Sequence, residues 1–397
     1  MPGNTADVLI VGGGVIGVSI AYMLSQRGIS IIVFERDGLA SGTAGATDGY
    51  ITYHTKKLGI HLEMGMRSGS MFDALAEKLR EDTGIDIEYD GRCGSMQLVD
   101  REEDWPYIQN MVEAQHAATG LDVAMYSIEE LRKIEPALNP ALLGGLYTPS
   151  AGKVNPFRLV FAMQRYAAKR GVRFYEGTRV LDLIHSENQV TGVRTEAGDF
   201  YGKYIVNAAG TWGGKIAAMA DIHVPIRPRR GQILVTEPLQ PMIHVTMQCA
   251  RTTATKLNPK MLETLDPKIR KLGTGFCLEQ TQDGSILIGF TREFAGFDKR
   301  TTLEAIELMA ERAVKFIPAL KTANIIRSYA GLRPYTPDGL PVLGFVPEME
   351  GFVMAAGHEG DGICLAPLTG LMIAQLIFGE QTEFPLEAFA SDRFEHP

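Results

Sequence analysis

Apolar and polar positions along this chain follow two rhythms, one of short unbroken apolar runs and one of helical spacing, and their alternation marks out the elements. Val8-Leu9-Ile10-Val11 is a buried-strand run, and after a glycine-rich turn a helix-like stretch continues to Leu24. A second run, Ile31-Ile32-Val33-Phe34, ends at Glu35. Leu62, Met66, Gly69, Phe72, Leu75 and Leu79 then share one helical face, which predicts a single long helix ending before Gly84. Ser95 to Val99 reads as a strand, and Ser127-Ile128-Glu129-Glu130 is a capping box that opens a short helix stopped by Pro136. Asn155-Pro156 supplies an N-cap with proline at the first helical position, for a helix running to Gly171. Strands are predicted at 179–185, 189–195, 200–207, 232–235, 275–278 and 285–290, and helices at 303–316 and 362–378.

The turn between the first strand and helix is Gly12-Gly13-Gly14-Val15-Ile16-Gly17, and Glu35 follows Gly17 by eighteen residues. Strand, glycine loop, helix and a later acid together form the context of a dinucleotide-binding βαβ unit. Gly12 lets the chain turn, Gly14 leaves room for a pyrophosphate at the helix N-terminus, and Gly17 lets the helix press on the sheet. Glu35 then accepts hydrogen bonds from the adenosine ribose hydroxyls.

Composition narrows the class. With 397 residues, 45% hydrophobic and 22% charged, the chain matches a soluble globular protein, and its length exceeds a single core of about 150 residues. A net charge of −8 without a basic block gives no electrostatic support for nucleic-acid binding. The apolar stretch from Val8 to Leu24 lacks a basic leader and holds the nucleotide glycines, so it reads as strand and helix rather than signal peptide, and no apolar run of about eighteen residues predicts a transmembrane segment. Cys93, Cys249, Cys277 and Cys364 are scattered, with no CxxC pair, which argues against a metal site or disulfide framework and fits a cytoplasmic protein, compatible with peripheral membrane association.

Later segments decide which nucleotide. Residues 204–210, Tyr-Ile-Val-Asn-Ala-Ala-Gly, are followed by Gly331-Leu332-Arg333-Pro334 through Gly344, then Ala356-Gly357-His358, then Gly362-Ile363-Cys364-Leu365-Ala366-Pro367. In that order, across essentially the whole chain, these motifs resemble the D-amino-acid oxidase superfamily of FAD enzymes, which includes glycine oxidase and sarcosine oxidase. The loop from Gly357 to Gly362 and the strand pair around Asp283-Gly284 look most like the catalytic β subunits of heteromeric amine dehydrogenases acting on hydroxyproline, proline, opines and sarcosine.

That resemblance implies an α/β fold in which a Rossmann-like FAD-binding domain (residues 1–84, 150–222 and 328–397) is interleaved with a mixed-sheet α+β substrate domain (85–149 and 223–327). It implies noncovalent FAD, because Gly331 stands where monomeric sarcosine oxidase has a flavin-linking cysteine. The implied cofactor contacts are Gly12, Gly14, Ile16, Gly17, Glu35, Arg36, Thr43, Ala44, Ala46, Thr47, Gly49, Val180, Ala209, Gly210, Arg333, Gly357, His358, Gly360, Gly362 and Ile363. It also implies a hetero-oligomer with other dehydrogenase subunits, with FMN or an iron-sulfur cluster at or in those partners.

Arg333 is the expected clamp for a substrate carboxylate, since a guanidinium fork matches it in two parallel hydrogen bonds; the alternative is pairing with a structural acid. Phe276 occupies the position expected for a carboxylate-touching tyrosine, and Gly360 that of a second arginine in glycine oxidase. Both departures point away from glycine and toward something larger. Glu279, Glu359 and Asp361 add negative charge near the expected pocket mouth, unless they are solvated loop acids. His358 contacts flavin or substrate, or satisfies loop carbonyls. Arg333, His358 and Glu279 are thus the catalytic candidates. The expected reaction is oxidation of a secondary or D-configured amino acid, an opine or a hydroxyproline- or proline-like amine, to an imine by hydride transfer to FAD. The alternatives are glycine or sarcosine oxidation and a flavin-carrying electron-relay subunit without a substrate of its own.

Overall fold

The first apolar runs become parallel strands because each is covered on both faces. In the computed structural model, which describes residues 3–258, 261, 263 and 265–394, one eight-stranded mixed sheet runs from edge to edge as Val342–Phe345, Phe352–Ala356, Gly198–Asn207, Thr5–Val11, Ile31–Phe34 and Arg173–Tyr175. Thr5–Val11 pairs in parallel with both Ile31–Phe34 and Gly198–Asn207. The hairpin of Val180–His185 and Val190–Thr195 hangs on Gly198–Asn207 by antiparallel pairing. The helix Val15–Leu24 is buried almost all round, as a helix must be when it lies between a sheet and other helices. Ser19 Oγ donates to Ala366 O at 2.7 Å, which ties it to the helix Gly362–Ile377.

The second eight-stranded sheet runs Ile325–Tyr335, Arg227–Thr236, Ile286–Gly289, Cys277–Gln280, Thr246–Cys249, Ser95–Val99, Gly144–Thr148 and Ala124–Ser127. Its longest pairing is antiparallel, Arg227–Thr236 against Ile325–Tyr335, in a register that sets Arg229 opposite Arg333 and Gly231 opposite Gly331. A separate apolar cluster under this sheet includes Phe276, Leu278, Met309 and Phe316. The strand Ile325–Tyr335 crosses the domain boundary expected at 328 and belongs throughout to the second sheet. A two-stranded ladder, Tyr50–Ile51 with Gly152–Lys153, sits apart from both sheets.

Helices Trp105–Thr119, Ala250–Leu257 and Pro267–Leu272 carry no strong sequence signal and were not expected. The single helix expected from Leu62 to Gly84 is instead two, Ile60–Gly69 and Phe72–Thr83. The break falls where the Tyr53 ring approaches the Gly69 backbone so closely that a Cβ there would lie 2.1 Å from the phenol oxygen. Phe276 also departs from expectation. It is fully buried and stacked on Phe316, with ring centroids 4.3 Å apart. Among the described residues, no helix is long and apolar enough to cross a membrane.

Candidate active site

A cleft opens where the carboxyl ends of the first sheet's strands meet the second sheet, and residues of both sheets line it. Its wall contains Gly12, Gly14, Ile16, Glu35, Arg36, Thr43, Ala44, Ala46, Thr47, Val180, Ala209, Gly210, Arg333, His358, Gly360, Gly362 and Ile363, residues drawn from six separate stretches of sequence. Gly17, Gly49, Gly357 and Glu279 lie outside it, and Asp48, Gly231, Phe290, Trp212 and Lys215 join it without having been singled out from the sequence.

At one end the glycine loop is shaped for a dinucleotide. Gly12 has φ +116°, and a Cβ there would meet Ala208 O at 2.4 Å, so the turn itself excludes a side chain. Gly14 caps Val15–Leu24 in extended backbone, and a Cβ there would meet no atom within 4 Å. The first glycine serves the fold, and the second keeps open a cradle at a helix N-terminus suited to phosphate. Glu35 accepts from Gly13 N at 2.8 Å and from Asp37 N at 2.9 Å, which fixes the carboxylate at the end of its strand. The Arg36 guanidinium lies 3.7 Å from the Trp212 ring centre, a stacked pair at the rim. These residues fit FAD, with a diphosphate against Gly14 and a ribose near Glu35.

The other end is built on the second sheet. The hydroxyls of Thr43 and Thr211 both donate to Leu332 O, each at 2.6 Å, so two cofactor-side loops hold the strand that carries Arg333. A Cβ at Gly331 would lie 2.8 Å from Ala46, which leaves no room for a side chain there. A Cβ at Gly231 would lie 2.0 Å from Arg333 Nη1, so the guanidinium occupies the space that this glycine vacates. Arg333 Nη1 donates to Thr291 O at 3.0 Å, and the Phe290 ring centre lies 4.9 Å from its Cζ.

Residues directly opposite on paired strands project to the same face, so the register brings two guanidiniums side by side. Arg229 is ion-paired with Glu359, whose other oxygen accepts from Gly360 N at 2.6 Å. Arg333 has no ion-pair partner among the described residues, although burial opposes its charge and only Asp48 and Cys277 favour it from nearby.

The acids named from the sequence are not solvated loop residues at a pocket mouth. Glu359, Asp361 and Glu279 are all at least nine-tenths buried. Asp361 binds Lys56 Nζ at 2.8 Å and His61 Nε2 at 3.2 Å; burial most strongly opposes the Lys56 charge, but Asp361 and Cys364 together hold that ammonium above its ordinary pKa. Glu279 shares a strand face with Cys277 and has one oxygen with no hydrogen-bond partner; burial first, then the nearby Asp48, pushes its pKa up to about 8. His358 is 3% exposed, with Nε2 3.1 Å from Thr369 Oγ1, and burial drives its pKa down to about 3. It is a neutral imidazole in the cleft wall. Among the described residues, no cluster of three or more His, Cys, Asp and Glu could hold a metal.

A family model described as DAO: FAD dependent oxidoreductase matches residues 7–376. The chain is 31% identical to the hydrogen cyanide synthase subunit HcnC of Pseudomonas aeruginosa, over 99% of this chain and 97% of that protein. It is 30% identical to the glycine oxidase of Geobacillus kaustophilus, whose crystal structure superposes with a TM-score of 0.87 over 98% of this chain and 99% of that one. The crystal structure of L-proline dehydrogenase from P. horikoshii superposes with a TM-score of 0.85 at 26% identity, over 99% and 98% of the two chains.

Two outcomes follow from this geometry. Gly14→Ala should leave the thermal stability of the cofactor-free protein within about 0.5 kcal/mol of wild type, because nothing within 4 Å meets the new methyl. The same methyl intrudes on the phosphate cradle, so FAD affinity measured by fluorescence titration should fall at least about tenfold; unchanged affinity refutes the cradle. The second concerns pH. Unfolded glutamate titrates near 4.5, so between there and about 8 folded Glu279 holds a proton that the unfolded chain has lost, and stability falls as pH rises through that window. Glu279→Gln should therefore gain on wild type by up to about 1.4 kcal/mol per pH unit between about pH 5 and pH 8 in urea unfolding. A pH-independent difference contradicts the buried, protonated carboxyl.

Proposed function

This chain belongs to the FAD-dependent oxidoreductase family of D-amino-acid oxidase relatives, and from that premise we propose that it oxidises a secondary or D-configured amino acid, an opine or a hydroxyproline- or proline-like amine, at the carbon–nitrogen bond. The observation that carries this reading is Arg333, a half-buried guanidinium that lines the cleft without an ion-paired acid among the described residues while its neighbour Arg229 is neutralised by Glu359. A substrate carboxylate supplies the missing counter-charge.

When bound, FAD supplies a two-electron acceptor for a hydride from the carbon that bears the nitrogen. The protein's own part is alignment. Gly231 and Phe290 fix the guanidinium, Thr43 and Thr211 fix its strand, and Gly12, Gly14, Glu35 and Val180 are the residues proposed to hold the nucleotide. His358 stays neutral across the physiological range, so it positions and packs and does not act as a cationic acid. The two-domain division is proposed as read from the sequence, with the whole strand Ile325–Tyr335 assigned to the substrate side.

Gly360 stands beside the Arg333 side chain in the cleft wall. A Cβ there would lie 3.7 Å from Arg333 Nε, in ordinary contact, so the glycine leaves at least the room of a methyl group beside the clamp, and we read it as space for an N-substituent. Glycine or sarcosine oxidation is a second reading, favoured by the glycine oxidase among the relatives. A hetero-oligomer is likewise proposed, since one relative carries the name of a synthase subunit.

The test is turnover of the yellow, FAD-loaded protein with a dye acceptor, alone and with neighbouring gene products. Proline, hydroxyproline, opines, sarcosine and glycine form the panel. Higher kcat/KM for the bulkier N-substituted compounds is expected; highest efficiency with glycine favours the second reading, and turnover of none supports a relay subunit. Arg333→Ala should lower kcat/KM for the preferred substrate by about 2–5 kcal/mol, roughly 30-fold or more, with most of the loss in KM. An unchanged KM overturns the clamp.

A further inference from the structure

Asp48 lines the same cleft as Arg333, and the reading of the cleft as an amino-acid site gives it no task. It lies on the loop between Thr43–Gly45 and the short strand Tyr50–Ile51, half-buried, with its carboxylate accepting a hydrogen bond from Cys277 Sγ at 3.4 Å. Like Arg333, Asp48 has no ion-pair partner among the described residues, yet each responds to the other's charge. The remaining charge nearby is adverse, because Glu279 lies one pleat along the strand from Cys277 and raises the local negative potential. Burial correspondingly disfavours the ionised form of Asp48.

A guanidinium and a carboxyl that face one cavity without closing on each other form the complement of a zwitterion, since an arriving ammonium favours the carboxylate form that burial alone opposes. In an amino acid the carboxylate and the ammonium are joined through one carbon, so a cation and an anion spaced around that carbon read both groups at once. A carboxylate without a nitrogen satisfies only the cation and adds repulsion at the anion. We propose that Asp48 is the specificity-determining anchor for the substrate's nitrogen, accepting a hydrogen bond from the ammonium while Arg333 holds the carboxylate. The proposal rests on the amino-acid reading above and extends it: the substrate class is α-amino carboxylates with at least one hydrogen on nitrogen, and simple carboxylates are rejected. The Tyr50 hydroxyl, which donates to Leu278 O at 2.8 Å, keeps the Asp48 loop registered on the strand that carries Cys277.

The test uses binding to the FAD-loaded protein, read by calorimetry and not by turnover. The probes are α-aminoisobutyrate, a zwitterion with no hydrogen on its α-carbon, and pivalate, which has a methyl group in place of the ammonium. Wild type should prefer the zwitterion at least about tenfold. Asp48→Asn should weaken α-aminoisobutyrate about tenfold or more and leave pivalate unchanged or tighter, and Asp48→Glu should recover part of the preference. Asp48→Ser serves if the asparagine variant loses FAD. Arg333→Ala should weaken both probes. If the Asp48 variants weaken both probes alike, or neither, while Arg333→Ala weakens both, the inference falls and the amino-acid site stands. If wild type binds neither probe and Arg333→Ala changes nothing, both readings fall.

Discussion

The site depends on a positive charge placed where the protein does not neutralise it. Arg229 and Arg333 stand opposite each other on paired strands, and two partly buried guanidiniums side by side repel. Glu359 relieves one of them, and with its second oxygen on Gly360 N it is fully committed. The second guanidinium is kept in place by a carbonyl, an aromatic face and a glycine gap, none of which carries charge. Half-buried, with Asp48 acting on it only at a distance and no ion pair among the described residues, the Arg333 guanidinium keeps its open side toward the cleft, where an arriving anion can close on it. That arrangement describes a binding site.

The cofactor end obeys a different constraint, close approach of backbone to backbone. Gly12 and Gly331 each exclude a Cβ because neighbouring main chain or Ala46 fills the space, whereas Gly14 keeps space empty. Motif glycines therefore divide into those that the fold needs and those that a ligand needs. The two threonine hydroxyls on Leu332 O join the ends: the loops that face the nucleotide also set the height of the strand that carries Arg333. The two loops and the Arg333 strand thus share a single carbonyl, Leu332 O.

Much of this was legible in the sequence where the signal is local. The glycine loop with Glu35, the capped helix after Asn155 and the helix Leu303–Phe316 each announce themselves within one turn or one period, and the structure has them. Tertiary contacts were not legible. Helical spacing ran unbroken through Gly69, whereas the structure divides the helix there, where the Tyr53 ring packs against the Gly69 backbone. The strand expected at 275–278 forms two residues later, at Cys277–Gln280, and Phe276 just before it stacks on Phe316 in the core while Cys277 reaches Asp48. The acids were recognised as a group, but charge in a loop carries no mark of its partner. Glu359 and Asp361 answer to Arg229 and Lys56, which lie more than a hundred residues away in sequence. Asp48 escaped notice because nothing around it in the sequence distinguishes it from a solvated loop acid.

The same long-range pairing explains how the glycine-rich segment before the last helix keeps its shape. Gly357 and Gly360 leave that segment little intrinsic preference, and ordering such backbone costs about 1–2 kcal/mol per residue. Three side chains bring it to one conformation: Glu359 is drawn to Arg229 on the second sheet, His358 is fixed to Thr369 within the helix that follows, and Asp361 is drawn to Lys56 and His61 beneath the cofactor loops. Because these partners lie on separate elements, the segment is fixed from several directions, and the helix Gly362–Ile377 begins at a defined point in the cleft wall. Each anchor is buried and ionic or hydrogen-bonded, so losing one leaves a buried polar group without its partner, not a looser loop. Rigid placement of glycine backbone by distant charges lets the cleft keep open space at Gly360 without losing its form.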